Sequence, residues 1–364
     1  MSSRPIARLT QFNLDGYSDI IDVRSPAEFA EDHIPGAINC YVLDNAQRAE
    51  VGTLYKQVSP FAAKKLGAAL ISANIAHWLQ TRFIDKPKDY RPLVYCWRGG
   101  QRSGALATIL SRIGWETTLV EGGYKRYRQW VRENLENLAP QLNLIILAGL
   151  TGTAKTDLLK KLELAGEQVL DLEGMANHRG SLLGGDPDTP QPAQKYFESL
   201  LNARINAFDP DRVVWVEAES IKIGNIHCPA PLWQRMKTSS AIEVTAPVAA
   251  RVEYLLQHYR YFTENPDVLL KKLGYLKERL GNETLNHWEN LIRTGQWPAF
   301  VAHLLETHYD PTYRRSMQLN ERKIVRTLAL ESLHDNDLDK AVGQLRETAH
   351  ARIAQDNPAG GEVV

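Results

Sequence analysis

The stretch LVYCWRGGQRSGAL, residues 93–106, sets a thiol between an apolar run and an alanine-rich segment of helical character. Cys96 is followed by Trp97, Arg98, Gly99, Gly100, Gln101, Arg102 and Ser103. A loop of that composition can curl so that successive amide N–H groups point at one spot. Together with the N-terminus of a following helix they make an anion cradle. The same field stabilises a thiolate, and Arg98 and Arg102 add positive charge. Cys96 is therefore the candidate nucleophile, with Arg98, Gly99, Gly100, Arg102 and Ser103 forming its anion loop. The plainer alternative is a small buried hydrophobe, as many free cysteines are.

A second pattern, GLTGTAKT at 149–156, follows the apolar run LNLIILA and precedes DLLKKLELAG. This is the strand–loop–helix context of a P-loop: backbone amides wrap phosphate oxygens, Lys155 supplies charge, and the Thr156 hydroxyl could ligate Mg²⁺. Gly149, Gly152, Thr153, Lys155 and Thr156 are the candidate phosphate ligands. Ala154 stands where the pattern wants glycine, and alanine resists positive φ. Phosphate binding is expected to survive this, whereas nucleotide hydrolysis is put in doubt. An acid that orients a metal should end a neighbouring strand. RVVWVEAES offers Glu217 and Glu219, two apart and so on the same side. The alternative is an acid that caps the next helix. DLEGMANHRGSLLGG contributes His178 and Arg179, read as a lid or phosphate contact, with a plain loop as the alternative.

These loops need sheets to carry them. Segment 17–39 reads as a strand, a Ser25-Pro26 turn, a helix and a Pro35-Gly36 turn; 49–83 is mostly helical, with Ser59 capping a helix that has Pro60 in its first turn. RPLVYC is a buried strand, SGALATILSRIGW a helix, and TTLVEGGYKRYRQWVREN a strand, a glycine turn and a helix. This alternation predicts a parallel sheet covered on both faces. Pro140 marks a boundary, after which EQVLDLEG, RVVWVEAES and AIEVTA add strands. From Val248 onward strand signals are expected to cease. The expected organisation is an α/β sheet domain at 12–136, a P-loop-like α/β domain at 141–247, a helical extension at 248–350 and a disordered tail at 356–364.

The 364 residues carry equal numbers of acidic and basic side chains, 43 of each, so no overall basic field draws the chain to nucleic acid. RNA binding would need a local patch. Three cysteines, Cys40, Cys96 and Cys228, are too few and too scattered for a disulfide framework or a zinc site. The N-terminus lacks the apolar core of a signal peptide, and no apolar run approaches a membrane span. A reduced, cytoplasmic protein without a membrane partner is expected.

DVRSPAEFAEDHIPGAIN together with YCWRGGQRSG resembles the rhodanese domain over residues 12 to 136. The resemblance implies that Cys96 accepts sulfur or a related chalcogen, and it puts Asp22 and Arg24 in the family's first conserved segment. The Cys-x5-Arg spacing of Cys96 and Arg102 is shared with cysteine phosphatases. Those usually have histidine before the cysteine, where this chain has Tyr95, and no acidic residue lies in the loop to protonate a leaving alcohol.

Rhodanese domain and P-loop in this order, with VGTLYKQVSPFAAKKLG, LDLEGMANHRGSLLGG, PQPAQKYFESL, VEAESIKIGN and HYDPTYRRS, resemble the tRNA 2-selenouridine synthases from about residue 10 to 350. The resemblance implies conversion of wobble 2-thiouridine to 2-selenouridine in the tRNAs for lysine, glutamate and glutamine. It implies geranyl diphosphate and selenophosphate as substrates, S-geranyl-2-thiouridine as intermediate, and a selenophosphate-producing enzyme as a partner. No tightly bound cofactor is expected. The 149–156 loop would hold the geranyl donor's diphosphate, which needs no ATP hydrolysis. The Cys96 loop would take selenium from selenophosphate. Interleaved basic and aromatic residues in RVEYLLQHYRYF, LLKKLGYLKERLG and HYDPTYRRS suit RNA phosphates and bases, with Arg260, Lys271, Lys272, Arg314 and Arg315 as contacts. The alternative makes Tyr254, Leu255 and Tyr259 helix core. The short connection NLENLAPQ leads us to expect both loops to open toward one groove. A sulfurtransferase, or a phosphatase, fused to a P-loop kinase remains the competing reading.

Overall fold

The computed structural model describes residues 4–178, 184, 189–218, 220–320 and 323–356; side chains of 316–320 and 350–356 are outside the description. Two compact units are present, Met1–Glu136 with Pro192–Ala203, and Asn137–Gln191 with Arg204–Val364.

In the first unit five parallel strands lie in the order β1-β5-β4-β2-β3. They are β1 (Ala7–Leu9), β2 (Asp19–Asp22), β3 (Ile38–Asn39), β4 (Pro92–Tyr95) and β5 (Thr118–Val120). β4 is central and buried along its whole length, which is why PLVY reads as an unbroken apolar run. The expected helix starts are present. Ser25 and Glu28 form a capping box ahead of Pro26–Glu31, and Ser59 Oγ accepts from the Ala62 amide at 3.3 Å to open Pro60–Trp78. β1 lies ahead of residue 12 and was not anticipated; it is a short strand paired with β5 on the sheet edge.

Residues 192–203, which the sequence assigned to the second domain, pack with the first unit. The ring of Tyr196 stacks on His33 at 4.2 Å, Glu198 pairs with Arg128, and Lys195 pairs with Glu31.

The second unit has five parallel strands in the order β12-β11-β6-β8-β7. They are β6 (Leu144–Ala148), β7 (Gln168–Leu170), β8 (Val214–Glu217), β11 (Ser240–Thr245) and β12 (Ile324–Ala329); β9 (Lys222–Ile223) and β10 (Ile226–His227) make a small antiparallel pair. β6, first in the chain, sits in the centre with β8 and β11 on either side. Open α/β sheets bind ligands where chain order reverses in this way.

Strands do not cease at Val248. β12 pairs in parallel with β11, and the helix Asp335–Asp356 packs Leu338, Ala341 and Leu345 onto Leu158 and Leu162 of the helix Lys155–Leu164. β12 lies on the sheet edge, half exposed and carrying Arg326, so its sequence lacks a core-strand signature. Between β11 and β12 the chain is helical, with its own core around Trp288, Leu291, Phe300 and Leu305. Most of the expected tail, from 357, lies outside the described residues.

Candidate active site

Cys96 directly follows β4 and is 3 % exposed. The loop after it leads into the helix Gln101–Ile113, whose N-terminal amides favour negative charge. Its backbone path is fixed from behind by the EGGY turn. The Tyr124 amide donates to Cys96 O at 2.8 Å and the Lys125 amide to Trp97 O at 2.9 Å. Gly123 has φ +59, and a Cβ there would stand 2.4 Å from Cys96 O and 2.5 Å from Gly99 N, so only glycine fits. The sequence predicts a turn at Gly122 and Gly123; Gly123 lets the loop backbone lie against it, while a Cβ on Gly122 would meet Arg126 Cβ at 2.8 Å.

Burial would raise the Cys96 thiol. Against it act the Ser103 hydroxyl, which donates to Sγ at 3.2 Å, the Ser103 and Arg98 amides, and the charge of Arg102. The balance lowers the thiol below its ordinary value. The other two cysteines behave oppositely, since burial pushes Cys40 and Cys228 up to about 12. Arg98 is exposed. Arg102 is held: its Nη1 donates to Glu28 Oε2 at 2.9 Å and its Nη2 to Oε1 at 3.4 Å. Burial would raise the Glu28 carboxyl, but the Arg102 hydrogen bond and charge and the Ser25 amide hold it below the usual range. Glu28 is thus an anion that fixes Arg102, not a proton donor. Asp22 and Arg24 form a buried pair under the loop, with Arg24 Nη2 on Asp22 Oδ2 at 2.6 Å and the guanidinium 3.8 Å from the Tyr124 ring centre.

In the second unit the 149–156 loop leaves β6. Gly149 has φ +153, and a Cβ there would lie 2.5 Å from Val244 O. Ala154 adopts φ 58, ψ 27, so alanine does take the left-handed conformation the pattern reserves for glycine. Its methyl group is buried with Ile145, Leu158 and Leu159. Lys155 Nζ donates to Gly149 O at 2.8 Å and Leu150 O at 3.3 Å. The Thr153 hydroxyl is turned inward onto Leu150 O at 2.9 Å, so its side chain shapes the loop. The Thr156 hydroxyl lies 3.4 Å from Glu173 Oε2.

Side chains from the helical segment clamp this loop, and none was anticipated. Arg251 is 1 % exposed; its Nε donates to Thr151 O at 2.8 Å and its guanidinium makes a two-bond pair with Asp310. Tyr254 donates to Asp157 at 2.8 Å, and the Gly149 amide donates to the Tyr313 hydroxyl at 2.7 Å. Of the two readings of RVEYLLQHYRYF, the helix-core alternative holds for Tyr254, Leu255 and Tyr259, and Arg251 belongs to the loop.

Glu217 ends β8 and is 3 % exposed; Oε1 accepts the Glu173 amide at 2.8 Å, and Oε2 has no partner among the described residues. Burial, with repulsion from Asp171 and Glu173, pushes its carboxyl well above the usual range. Glu219 and Arg179 lie outside the described residues. His178 packs against Gly224 and is lowered by burial and by Lys272. Arg260, Lys271, Arg314 and Arg315 are exposed and Lys272 is half-buried, all on the helical segment. Among the described residues no cluster of three or more His, Cys, Asp or Glu is placed to hold a metal, and no helix is long and apolar enough to cross a membrane.

Two family models match the chain: a rhodanese-like domain at residues 8–130 and the tRNA 2-selenouridine synthase AAA domain at 142–338. A tRNA 2-selenouridine synthase of a Sulfurovum species is 32 % identical over 84 % of this chain and 90 % of its own. That of Chromohalobacter salexigens is 31 % identical over 91 % of this chain and 95 % of its own. That of Nitrosomonas europaea is 35 % identical over 66 % of this chain, and the match spans 63 % of its own length. With a rhodanese-like domain and a P-loop-like domain in the order described above, the chain belongs to the tRNA 2-selenouridine synthase family.

Proposed function

We propose that the protein converts 2-thiouridine to 2-selenouridine at the wobble position of the tRNAs for lysine, glutamate and glutamine, in the cytoplasm, through S-geranyl-2-thiouridine. The observation that carries this is chemical asymmetry. One anion loop holds a thiol with lowered pKa, and the other holds a lysine but no nucleophile.

The loop without a nucleophile suits a reaction whose nucleophile is the RNA itself. The C2 sulfur of the base attacks C1 of geranyl diphosphate, and the carbon–oxygen bond breaks. Pyrophosphate leaves with the electron pair, and the N3 proton goes to water. Lys155 and the amide of Gly152 stabilise charge on the leaving group, the Gly149 amide being taken by Tyr313. Thr156 and Glu173 supply oxygens that suit Mg²⁺ bound mainly through diphosphate and water.

The Cys96 loop takes selenophosphate, a phosphate-like anion supplied by a separate enzyme. Selenium of selenophosphate then bonds to C2, the C2–S bond breaks, and geranylthiol leaves with a proton. Water attacks the phosphorus of the adduct, the Se–P bond breaks, and phosphate leaves while selenium stays on C2. The prior alkylation matters because a neutral thiol is a better leaving group than sulfide. A phosphatase at Cys96 would need an acid, and Glu28, which reaches this loop, is held as an anion.

Mass spectrometry of nucleosides from tRNA incubated with the protein, geranyl diphosphate and selenophosphate tests the reading. S-geranyl-2-thiouridine without selenophosphate and 2-selenouridine with it are expected; neither product would refute it. The exposed Arg314 and Arg315 are assigned to tRNA phosphates. Replacing both by alanine should weaken tRNA binding and flatten its dependence on log salt by up to about 2 units.

A further inference from the structure

Beside the 149–156 loop lies an apolar cavity of about 60 Å³. Its walls come from the helices Val248–His258, Arg260–Glu264 and Trp297–Leu304 and include Leu255, Leu256, Tyr259, Phe262, Trp297 and Phe300. Thr151 of the loop is part of the same wall. The contact between loop and cavity is close: a Cβ on Gly152 would stand 3.0 Å from two carbons of Leu255. Arg251, one turn before Leu255 on the same helix, holds Thr151 O at 2.8 Å, so loop and wall are fixed to each other.

A leftover void in a helical core would be ringed by fully buried side chains. Here Leu255, Leu256, Tyr259 and Trp297 stay only half-buried, next to buried Phe262 and Phe300. Large apolar groups are left with surface that a further apolar group would cover. A nucleoside would meet almost no polar partner there, whereas a hydrocarbon chain needs none. The space takes about five water-sized groups. That is one isoprene unit.

We infer that this cavity receives the terminal isoprene unit of a prenyl diphosphate whose diphosphate lies on the 149–156 loop; this rests on the reading of that loop proposed above. The unit attached to the diphosphate spans from the loop amides past Thr151, and the next unit fills the cavity. A single-unit prenyl diphosphate is too short to enter it. The cavity therefore selects the chain, and the loop binds the charge.

The test uses the full chain and calorimetric titration with pyrophosphate and with dimethylallyl and geranyl thiolodiphosphates, which resist transfer. Pyrophosphate and the dimethylallyl analogue should bind alike, and the geranyl analogue at least tenfold tighter. Leu256→Trp, which fills the space, should erase that gain and leave pyrophosphate affinity unchanged. Pyrophosphate binding with no gain from the second unit, or a gain that survives Leu256→Trp, overturns the cavity assignment alone. Failure of every probe to bind overturns the loop reading and the cavity with it. Should Leu256→Trp also lose pyrophosphate, Trp297→Ala decides. A geranyl gain reduced severalfold with pyrophosphate affinity intact supports the assignment, and an unaltered gain overturns it.

Discussion

The two anion loops are built on the same plan and held in different ways. Each leaves a central parallel strand and ends at a helix N-terminus, Cys96 to Gln101 after β4 and Gly149 to Lys155 after β6. The Cys96 loop is held by backbone, through glycines and the amides of Tyr124 and Lys125, which leaves its donors free to act on one thiolate. The 149–156 loop is held by side chains of a distant helical segment, Arg251 on Thr151 and Tyr313 on Gly149. A loop that stabilises its own charged atom needs rigidity close to that atom. A loop that binds a charge brought from outside can be tied to whatever recognises the rest of the ligand.

If the comparison is right, the two chemistries come apart under mutation. The largest effect is expected for Cys96→Ser, which should abolish 2-selenouridine while S-geranyl-2-thiouridine still forms at close to the wild-type rate. Nucleoside mass spectrometry checks both products in one assay. Undiminished selenium incorporation would show that the thiol carries no part of that step. The converse is Lys155→Ala. One preorganised charge lost from a developing anion slows alkylation about a hundredfold. Selenium transfer into tRNA alkylated beforehand should continue. A loss in that second assay would mean the loops are not chemically separate.

How much of this could be read from the chain depends on distance along it. The strand–loop–helix frames, the Ser25 and Ser59 helix starts and the place of Cys96 between strand and helix are local patterns and were legible. Arg102–Glu28 joins residues 74 apart and Gly149–Tyr313 residues 164 apart, and nothing in either partner's neighbourhood names the other. From Arg251 to Tyr259 the structure follows the alternative reading, helix core, rather than the RNA face. Basic and aromatic residues in alternation suit an RNA surface, but here the arginine is buried on Asp310 and the tyrosines face the loop and helical core. β12 was missed because an edge strand with exposed alternate residues has a weak signature. Gly122 and Gly123 were visible as a turn; the near contact with Cys96 O that requires glycine was not.

A smaller change sharpens the account of the thiol. Ser103→Ala removes the hydroxyl donor to Sγ, so the charged form loses stabilisation and the thiol pKa rises. Less thiolate is then present at neutral pH, and the alkylation profile with iodoacetamide moves to higher pH. One such bond contributes about 1 kcal/mol, or roughly a fivefold slower reaction at pH 7. An unmoved profile would assign the lowered pKa to the backbone amides and Arg102 alone.

The smallest effect is expected where the sequence departs most visibly from its motif. Ala154 holds φ 58, a conformation that costs a non-glycine residue about 1–2 kcal/mol. Ala154→Gly removes that strain. It also deletes a methyl group that is 2 % exposed against Ile145, Leu158 and Leu159, a loss of about 0.8 kcal/mol. Glycine's larger freedom in the unfolded chain takes back a further ~0.4–1 kcal/mol. These contributions nearly cancel, so denaturant unfolding of the second unit should shift by less than about 1 kcal/mol. Phosphate binding at the loop should be kept, because the backbone shape is the same with either residue. A gain well above 1 kcal/mol would mean that the methyl group packs poorly and alanine is strained without return. A loss of comparable size would mean that packing outweighs the strain, and that alanine anchors the loop to the core where glycine would only let it turn.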